Sequence, residues 1–334
     1  MNPEESRMVS LHVMNPGGRD ASRAFLNGPG HPNDPGHPPV NFHAYAACTH
    51  GVFARSVADL PTTARAVLLL LRAKHLTKAE KTLCTLQKAG LKVLISWKES
   101  GAAQVAAALS ERSRWLEFQK IASASDGFLS AVPDIETIYR AAGCPNGLSL
   151  LTPYPLEFPD WIFEIPLSER QGVFVGTREF DIPARNHLLA VCETHGLHER
   201  ITVMTTKTIV GRRYLESLPF GLQVVDAPLP YAQYLRLMAS HRIVFQLDSG
   251  AVPGQVAGDA LLCGMPCVGG NGGTDRLAFP DLCGFGRSPH DLRTLATWLL
   301  NDDQAWQQAV SDSRNNAASL GFDPTAARLA GFCQ

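Results

Sequence analysis

The sequence predicts an α/β protein made of two doubly wound parallel domains, and three observations carry that prediction. Short apolar, β-rich runs alternate with helical patterns along most of the chain, joined by short connections. Residues 78–96, KAEKTLCTLQKAGLKVLIS, read as a helix stopped by Gly90 and followed at once by a strand, the crossover that parallel strands require. Residues 242–273, RIVFQLDSGAVPGQVAGDALLCGMPCVGGNGG, pack strand, Gly/Pro loop, helix and strand into one short stretch.

The elements follow in order. Residues 8–14 form a first strand, which ends in Asn15-Pro16-Gly17-Gly18-Arg19-Asp20. Residues 27–39 carry Gly-His-Pro twice and are too rich in proline and glycine for a helix or central strand, so they form an exposed excursion or a lid. Strands at 66–71, 92–96 and 127–131 alternate with helices at 78–88, 102–109, 115–123 and 133–142. The proline-rich stretch 152–166, with Trp161 and Phe163, marks a linker that packs against a domain. Beyond it come strands at 172–175, 201–205, 222–225 and 243–247, helices at 188–194, 231–239 and 255–263, and tail helices at 291–301, 303–319 and 324–332. The domains are therefore expected at 1–160 and 161–305, with C-terminal helices over 306–334.

Composition narrows the function. With 334 residues and 45% hydrophobic content the chain is long enough for two separate cores. A formal net charge of −1 gives no general attraction to nucleic acid or to an anionic membrane, so a nucleic acid acceptor is not favoured. No apolar run reaches membrane-spanning length and the start does not read as a signal peptide, so a cytoplasmic protein without membrane insertion is expected. The eight cysteines are scattered without a Cys-x2-Cys pair, which predicts buried reduced thiols and no zinc. His31, His37, His43 and His50 lack supporting carboxylate or cysteine spacing, so no metal is expected there either.

Between the strand at 243–247 and the following helix lies Asp248-Ser249-Gly250-Ala251-Val252-Pro253-Gly254. Side chains this small let backbone N–H groups approach an anion, and the helix presents its positive end there, so the loop is a candidate phosphate cradle. The competing reading is that such loops are routine in doubly wound folds and most bind nothing.

The residue order Ser249, then Ala251 through Gln255, then Asp259-Ala260, Gly264-Met265-Pro266-Cys267-Val268 and Gly272-Gly273 resembles the nucleotide-sugar glycosyltransferases of the GT-B fold, above all the large retaining family 4. Two departures stand out: Ala251 where that family has the first acid of its paired-acid motif, and Asp259 where it has the second, a Glu. The resemblance implies two Rossmann-like domains facing a cleft, an N-terminal acceptor side, a C-terminal nucleotide-sugar side, and terminal helices that return to the first domain.

The resemblance also implies roles for particular residues. Arg178 and Arg185, which follow Phe174-Val175-Gly176, would meet the diphosphate, and Ser249, Gly250, Val252, Pro253, Gly254 and Gln255 would line the donor loop. Asp259 would accept hydrogen bonds from the ribose hydroxyls, Lys98 and Glu99 would be catalytic by their position at a strand end, and Gly17 and Gly18 would form an acceptor or phosphate loop. Each has a plainer reading: arginines and a Lys-Glu pair in solvated turns, and an Asp that complements a helix dipole. The implied activity is retaining, metal-independent transfer of a sugar from a nucleotide diphosphate sugar to an unidentified acceptor hydroxyl, without a cofactor. Two other classes stay open: a nucleotide-sugar epimerase or hydrolase, and a weak or inactive GT-B-derived nucleotide-binding or partner protein, which Ala251 favours.

Overall fold

In a computed structural model of the chain, the structure describes residues 10–98, 101–205 and 209–333. Two compact units emerge, Met1–Glu157 with Ser319–Gln334, and Phe158–Ala318.

The first unit is built on β1 (Leu11–Met14), β2 (Arg23–Ala24), β3 (Val52–Ala54), β4 (Ala66–Leu71), β5 (Lys92–Trp97), β6 (Gly127–Ser130) and β7 (Gly147–Ser149). They lie in the order β2-β3-β1-β4-β5-β6-β7, all parallel except β2 against β3. The predicted strand at 8–14 is seen over Leu11–Met14, residues 8 and 9 lying outside the described residues. Every residue of β4, AVLLLL, is buried, as in a central parallel strand covered on both faces. Its helices are α1 (Phe42–Cys48), α2 (Leu76–Lys88), α3 (Ala102–Leu109), α4 (Arg112–Ala124) and α5 (Glu136–Ala141). In α2, Leu76, Ala79, Leu83 and Leu86 form one buried stripe, and Gly90 takes the left-handed conformation, φ 76°, just beyond its end.

The second unit contains β8 (Val173–Val175), β9 (Ile201–Met204), β10 (Gln223–Val225), β11 (Ile243–Gln246) and β12 (Cys267–Gly269), ordered β10-β9-β8-β11-β12 and parallel throughout. Around them run α6 (His187–Glu193), α7 (Ile209–Glu216), α8 (Tyr231–Ala239), α9 (Gln255–Leu262), α10 (Gly273–Ala278), α11 (Pro289–Asn301) and α12 (Asp303–Asn316). Ser288 and Asp291 form a capping box that starts α11, with Pro289 in the first turn. The prolines at 159 and 166 do not leave a free tether, because Trp161 is buried in this unit and Phe163 N–H donates to the Leu262 carbonyl at 2.7 Å.

The last helix, α13 (Phe322–Cys333), belongs to the first unit and packs on α1. Its opening N–H groups, those of Phe322 and Asp323, donate to the Glu157 carboxylate at 3.0 and 3.2 Å, which supplies the acceptors a helix start lacks.

In each sheet the strand order reverses once, between β1 and β4 in the first unit and between β8 and β11 in the second. In open α/β sheets the crevice outside the carboxyl ends of the strands at such a reversal is where ligands bind.

Candidate functional site

At the reversal in the second unit, the chain leaves β8 through Gly176 and turns sharply at Thr177, which holds a left-handed φ of 64°. A β-branched residue there is strained and needs support. His187 supplies it. Its Nε2 lies 3.1 Å from the Met204 carbonyl and must donate to it, so Nδ1 accepts from the Thr177 hydroxyl at 3.0 Å. Burial lowers the pKa of His187 to about 4, which keeps the ring neutral in this arrangement. The next residue, Arg178, is exposed, and its charge acts on Asp259 and Tyr234.

The loop after β8 is knitted to the loop after β11. Arg185 donates to the carboxylate of Asp248 and, at 3.1 Å, to Glu179. Asn186 Nδ2 donates to the Leu247 carbonyl at 2.9 Å, and Ser249 N–H donates to the Ala184 carbonyl at 2.9 Å. The far side of the second loop is tied down as well: Gly273 N–H donates to Val252 O at 2.8 Å, and Thr274 N–H to Pro253 O at 3.0 Å. Gly254, at φ 95°, turns the chain into α9, and a Cβ there would come within 2.9 Å of Asp275 Oδ2. Asp275 in turn accepts from Gly272 N–H at 3.1 Å and from Gln246 Nε2 at 2.8 Å, and burial raises its pKa to about 7.

The predicted donor residues Arg178, Arg185, Ser249, Gly250, Val252 through Gln255 and Asp259 all belong to this end of the second sheet, and three of them hold contacts within the protein. Arg185 is committed to Asp248, a carboxylate that is 4% exposed, because a charge so deeply buried requires a paired cation. Gly250 N–H does not face outward; it donates to Asp248 Oδ1 at 2.8 Å and closes a turn. Asp259 is buried, with the Tyr231 hydroxyl donating to Oδ1 at 2.5 Å and the Tyr234 hydroxyl to Oδ2 at 3.1 Å. The Gln255 side chain also bonds to Asp259. Asp is one methylene shorter than the Glu of the resembled family, and here it clamps α8 to α9. Burial raises its pKa to about 7, with the tyrosines, Gln255 and Arg178 opposing the rise.

At the reversal in the first unit, Asn15 is fully buried after β1 and donates from Nδ2 to Asp20 at 3.0 Å while accepting from Arg72 Nε, just past β4, at 3.1 Å. Arg72 and Lys98, which follows β5, each lie 3.8 Å from Asp20 Oδ2. Lys98 Nζ also sits 5.3 Å from the centre of the Phe42 ring. Gly17 and Gly18 form the tight turn between Asn15 and Asp20, with Gly18 N–H donating to the Asn15 carbonyl at 3.2 Å. Lys98 is thus placed at the strand edge foreseen for it; its expected partner Glu99 lies outside the described residues.

Sequence reasoning did not find Asp248, Tyr231, Tyr234, Asp275, Asn15, Asp20 or Arg72. For some a signal exists: Tyr231 and Tyr234 stand one helical turn apart at a helix start, and Asn15 and Arg72 directly follow their strands. The cysteine expectation needs one correction, since Cys84 and Cys192 are exposed and only the other six are buried. Among the described residues no group of three or more His, Cys, Asp or Glu could hold a metal ion. A cavity of about 340 Å³ elsewhere in the second unit, lined by Glu164, Arg170, Gly264, Trp306 and Arg314 among others, includes none of the predicted catalytic or donor-binding residues.

No protein-family model and no curated protein matches this chain. Solved structures do. A trehalose-6-phosphate structure from E. coli with bound UDP-2-fluoro glucose superposes with a TM-score of 0.55 at 10% identity, covering 80% of this chain and 73% of that one. A UDP-forming α,α-trehalose-phosphate synthase from Burkholderia xenovorans gives a TM-score of 0.56 at 10% identity over 98% of this chain and 99% of that one. The same type of synthase from that organism, in complex with glucose-6-phosphate, gives 0.54 at 10% identity over 84% and 79%. These likenesses establish the fold: α/β of the GT-B class, with two Rossmann-like domains.

Proposed function

We propose that this protein is a glycosyltransferase that moves a sugar from a nucleotide diphosphate sugar to an acceptor hydroxyl. The observation that carries this reading is the knitted pair of loops at the reversal of the second sheet, where exposed Arg178 and the start of α9 stand together on a braced backbone. A diphosphate leaving group needs positive charge and N–H donors held in place before it forms, and a helix start with an adjacent arginine supplies both. The first-turn amides of α9 have no intrahelical acceptor and point out of its N-terminus. Because these groups can carry the charge themselves, the transfer we propose is metal-independent and uses no cofactor.

The solved relatives support the same reading, since one is bound to UDP-2-fluoro glucose and another to glucose-6-phosphate. In the first unit, Arg72 and Lys98 each lie 3.8 Å from the Asp20 carboxylate, and two cations placed together suit a ligand that carries an anionic group. Among the described residues no helix is long and apolar enough to cross a membrane; a cytoplasmic setting with reduced cysteines belongs to this proposal.

Ala251 favours one second reading, a GT-B protein that binds nucleotide without turning it over. The deciding experiment is incubation of the protein with labelled UDP-, GDP-, ADP- and dTDP-sugars. Release of nucleoside diphosphate, with label moved to an added sugar phosphate or to water, supports the enzyme. Binding of the same compounds without any release supports the second reading.

A further inference from the structure

Within the second unit, Arg178 is carried between two residues that the buried ring of His187 holds. Asn41, His50, Thr177 and Asn186 are the non-glycine residues with positive φ among the described residues. Thr177, at 64°, is the β-branched one, the type that backbone sterics tolerate least there. Its hydroxyl donates to His187 Nδ1 at 3.0 Å, and Phe180 packs edge-on against the same ring, with centres 4.5 Å apart and planes at 70°. The ring itself is anchored elsewhere. Its Nε2 donates to the Met204 carbonyl at the end of β9, and its neighbour Asn186 donates to the Leu247 carbonyl just past β11.

Gly176 sets where the turn begins. A Cβ there would come within 2.7 Å of Val256 Cγ1, so the end of β8 lies directly against the first turn of α9. From that point the turn at Thr177 sends Arg178 to a place where its charge acts on Asp259 of α9 and Tyr234 of α8. A left-handed threonine costs stability, and glycine would hold the same φ without that cost. The strain therefore sits, locked by a buried hydrogen bond, one residue before the exposed arginine of the candidate donor site.

We propose that Thr177 and His187 are positioning residues for nucleoside diphosphate binding: their hydrogen bond locks the strained turn and so holds Arg178 beside the first turn of α9, where a diphosphate meets both. This inference rests on the reading of Arg178 and the start of α9 as the donor site. An arginine that the backbone already aims loses less conformational freedom when the ligand arrives, and the difference appears as affinity. Neither Thr177 nor His187 needs to touch the ligand. Both act through Arg178, and that separates them from residues that only keep the loop folded.

Calorimetric titration of the full-length protein with UDP, GDP, ADP and dTDP, alongside urea unfolding, tests the proposal. Thr177→Gly removes the lock and the strain together. It should weaken the tightest-binding of the four by about tenfold while leaving the urea midpoint unchanged or higher. Thr177→Ser keeps the hydroxyl and should stay within about twofold of wild type in affinity. In an Arg178→Ala background, Thr177→Gly should change affinity by less than about twofold, because its effect passes through the arginine. The proposal fails if Thr177→Gly binds within about twofold of wild type, or if it loses affinity equally in both backgrounds. A loss of affinity matched by a fall in the urea midpoint, the mark of a merely structural role, also contradicts it. Failure of the wild-type protein to bind any of the four nucleotides would instead overturn the donor-site reading beneath it.

Discussion

Arg185 and Asp248 form an ion pair that joins the loop after β8 to the loop after β11, with the carboxylate almost wholly buried. This pair gives the candidate donor site its rigidity, and it also removes Arg185 from the charges available to a ligand. Of the two arginines selected from the sequence, Arg178 is the exposed one.

Removal of Arg185 should therefore act on stability first. Arg185→Met leaves Asp248 buried without its cation, and urea unfolding should show a loss of about 3 kcal/mol. Adding Asp248→Asn to that variant should recover much of the loss. If Arg185→Met changed stability by less than about 0.5 kcal/mol, the pair would not brace the loops.

Arg178 should behave in the opposite way. Arg178→Ala should leave thermal stability nearly unchanged, because the side chain is exposed. It should weaken nucleoside diphosphate binding by roughly 1.5–3 kcal/mol, the worth of a charge-assisted hydrogen bond. Calorimetric titration of both proteins measures this, and equal affinities would place Arg178 outside the site.

Much of this site was legible in the sequence, and the remainder was hidden for identifiable physical reasons. The short β-rich runs, the helix ended by Gly90 and the Gly/Pro loop before α9 predict the parallel architecture, because strand burial and helix termination are local properties. The order of Arg178, Arg185 and the loop from Ser249 to Gln255 likewise places them at one sheet edge, since residues that directly follow neighbouring parallel strands must meet. Partner choice is not local. Nothing in the sequence around Arg185 shows that Asp248, sixty-three positions away, takes its charge. Nor does the sequence around Asp259 show that two tyrosines from α8 cover it. β2 and β3, each no more than three residues long, and the seven-residue helix α1 gave too little periodicity to be read.

The burial of Asp259 has a pH signature. Its pKa is raised by burial from 3.8 to about 7, so between those values the folded protein holds a proton that the unfolded chain has released. The stabilisation is fully present at and below about pH 4 and is lost as pH rises towards 7, by up to about 4 kcal/mol for this group. Asp275, raised to about 7 in the same way, adds to the same slope. Asp259→Asn should remove its share, so that the stability difference between wild type and variant changes by several kcal/mol between pH 4 and 7 and stays constant above pH 8. Parallel stability curves from urea unfolding across that range would contradict the assignment.

The most direct measurement for the account as a whole is calorimetric titration of the protein with UDP, GDP, ADP and dTDP, each with and without excess EDTA. We expect at least one of the four to bind with an affinity that chelation leaves unchanged and that Arg178→Ala reduces about tenfold or more. Absence of binding by all four, or binding abolished by EDTA, would contradict a metal-independent nucleoside diphosphate site at the carboxyl ends of β8 and β11.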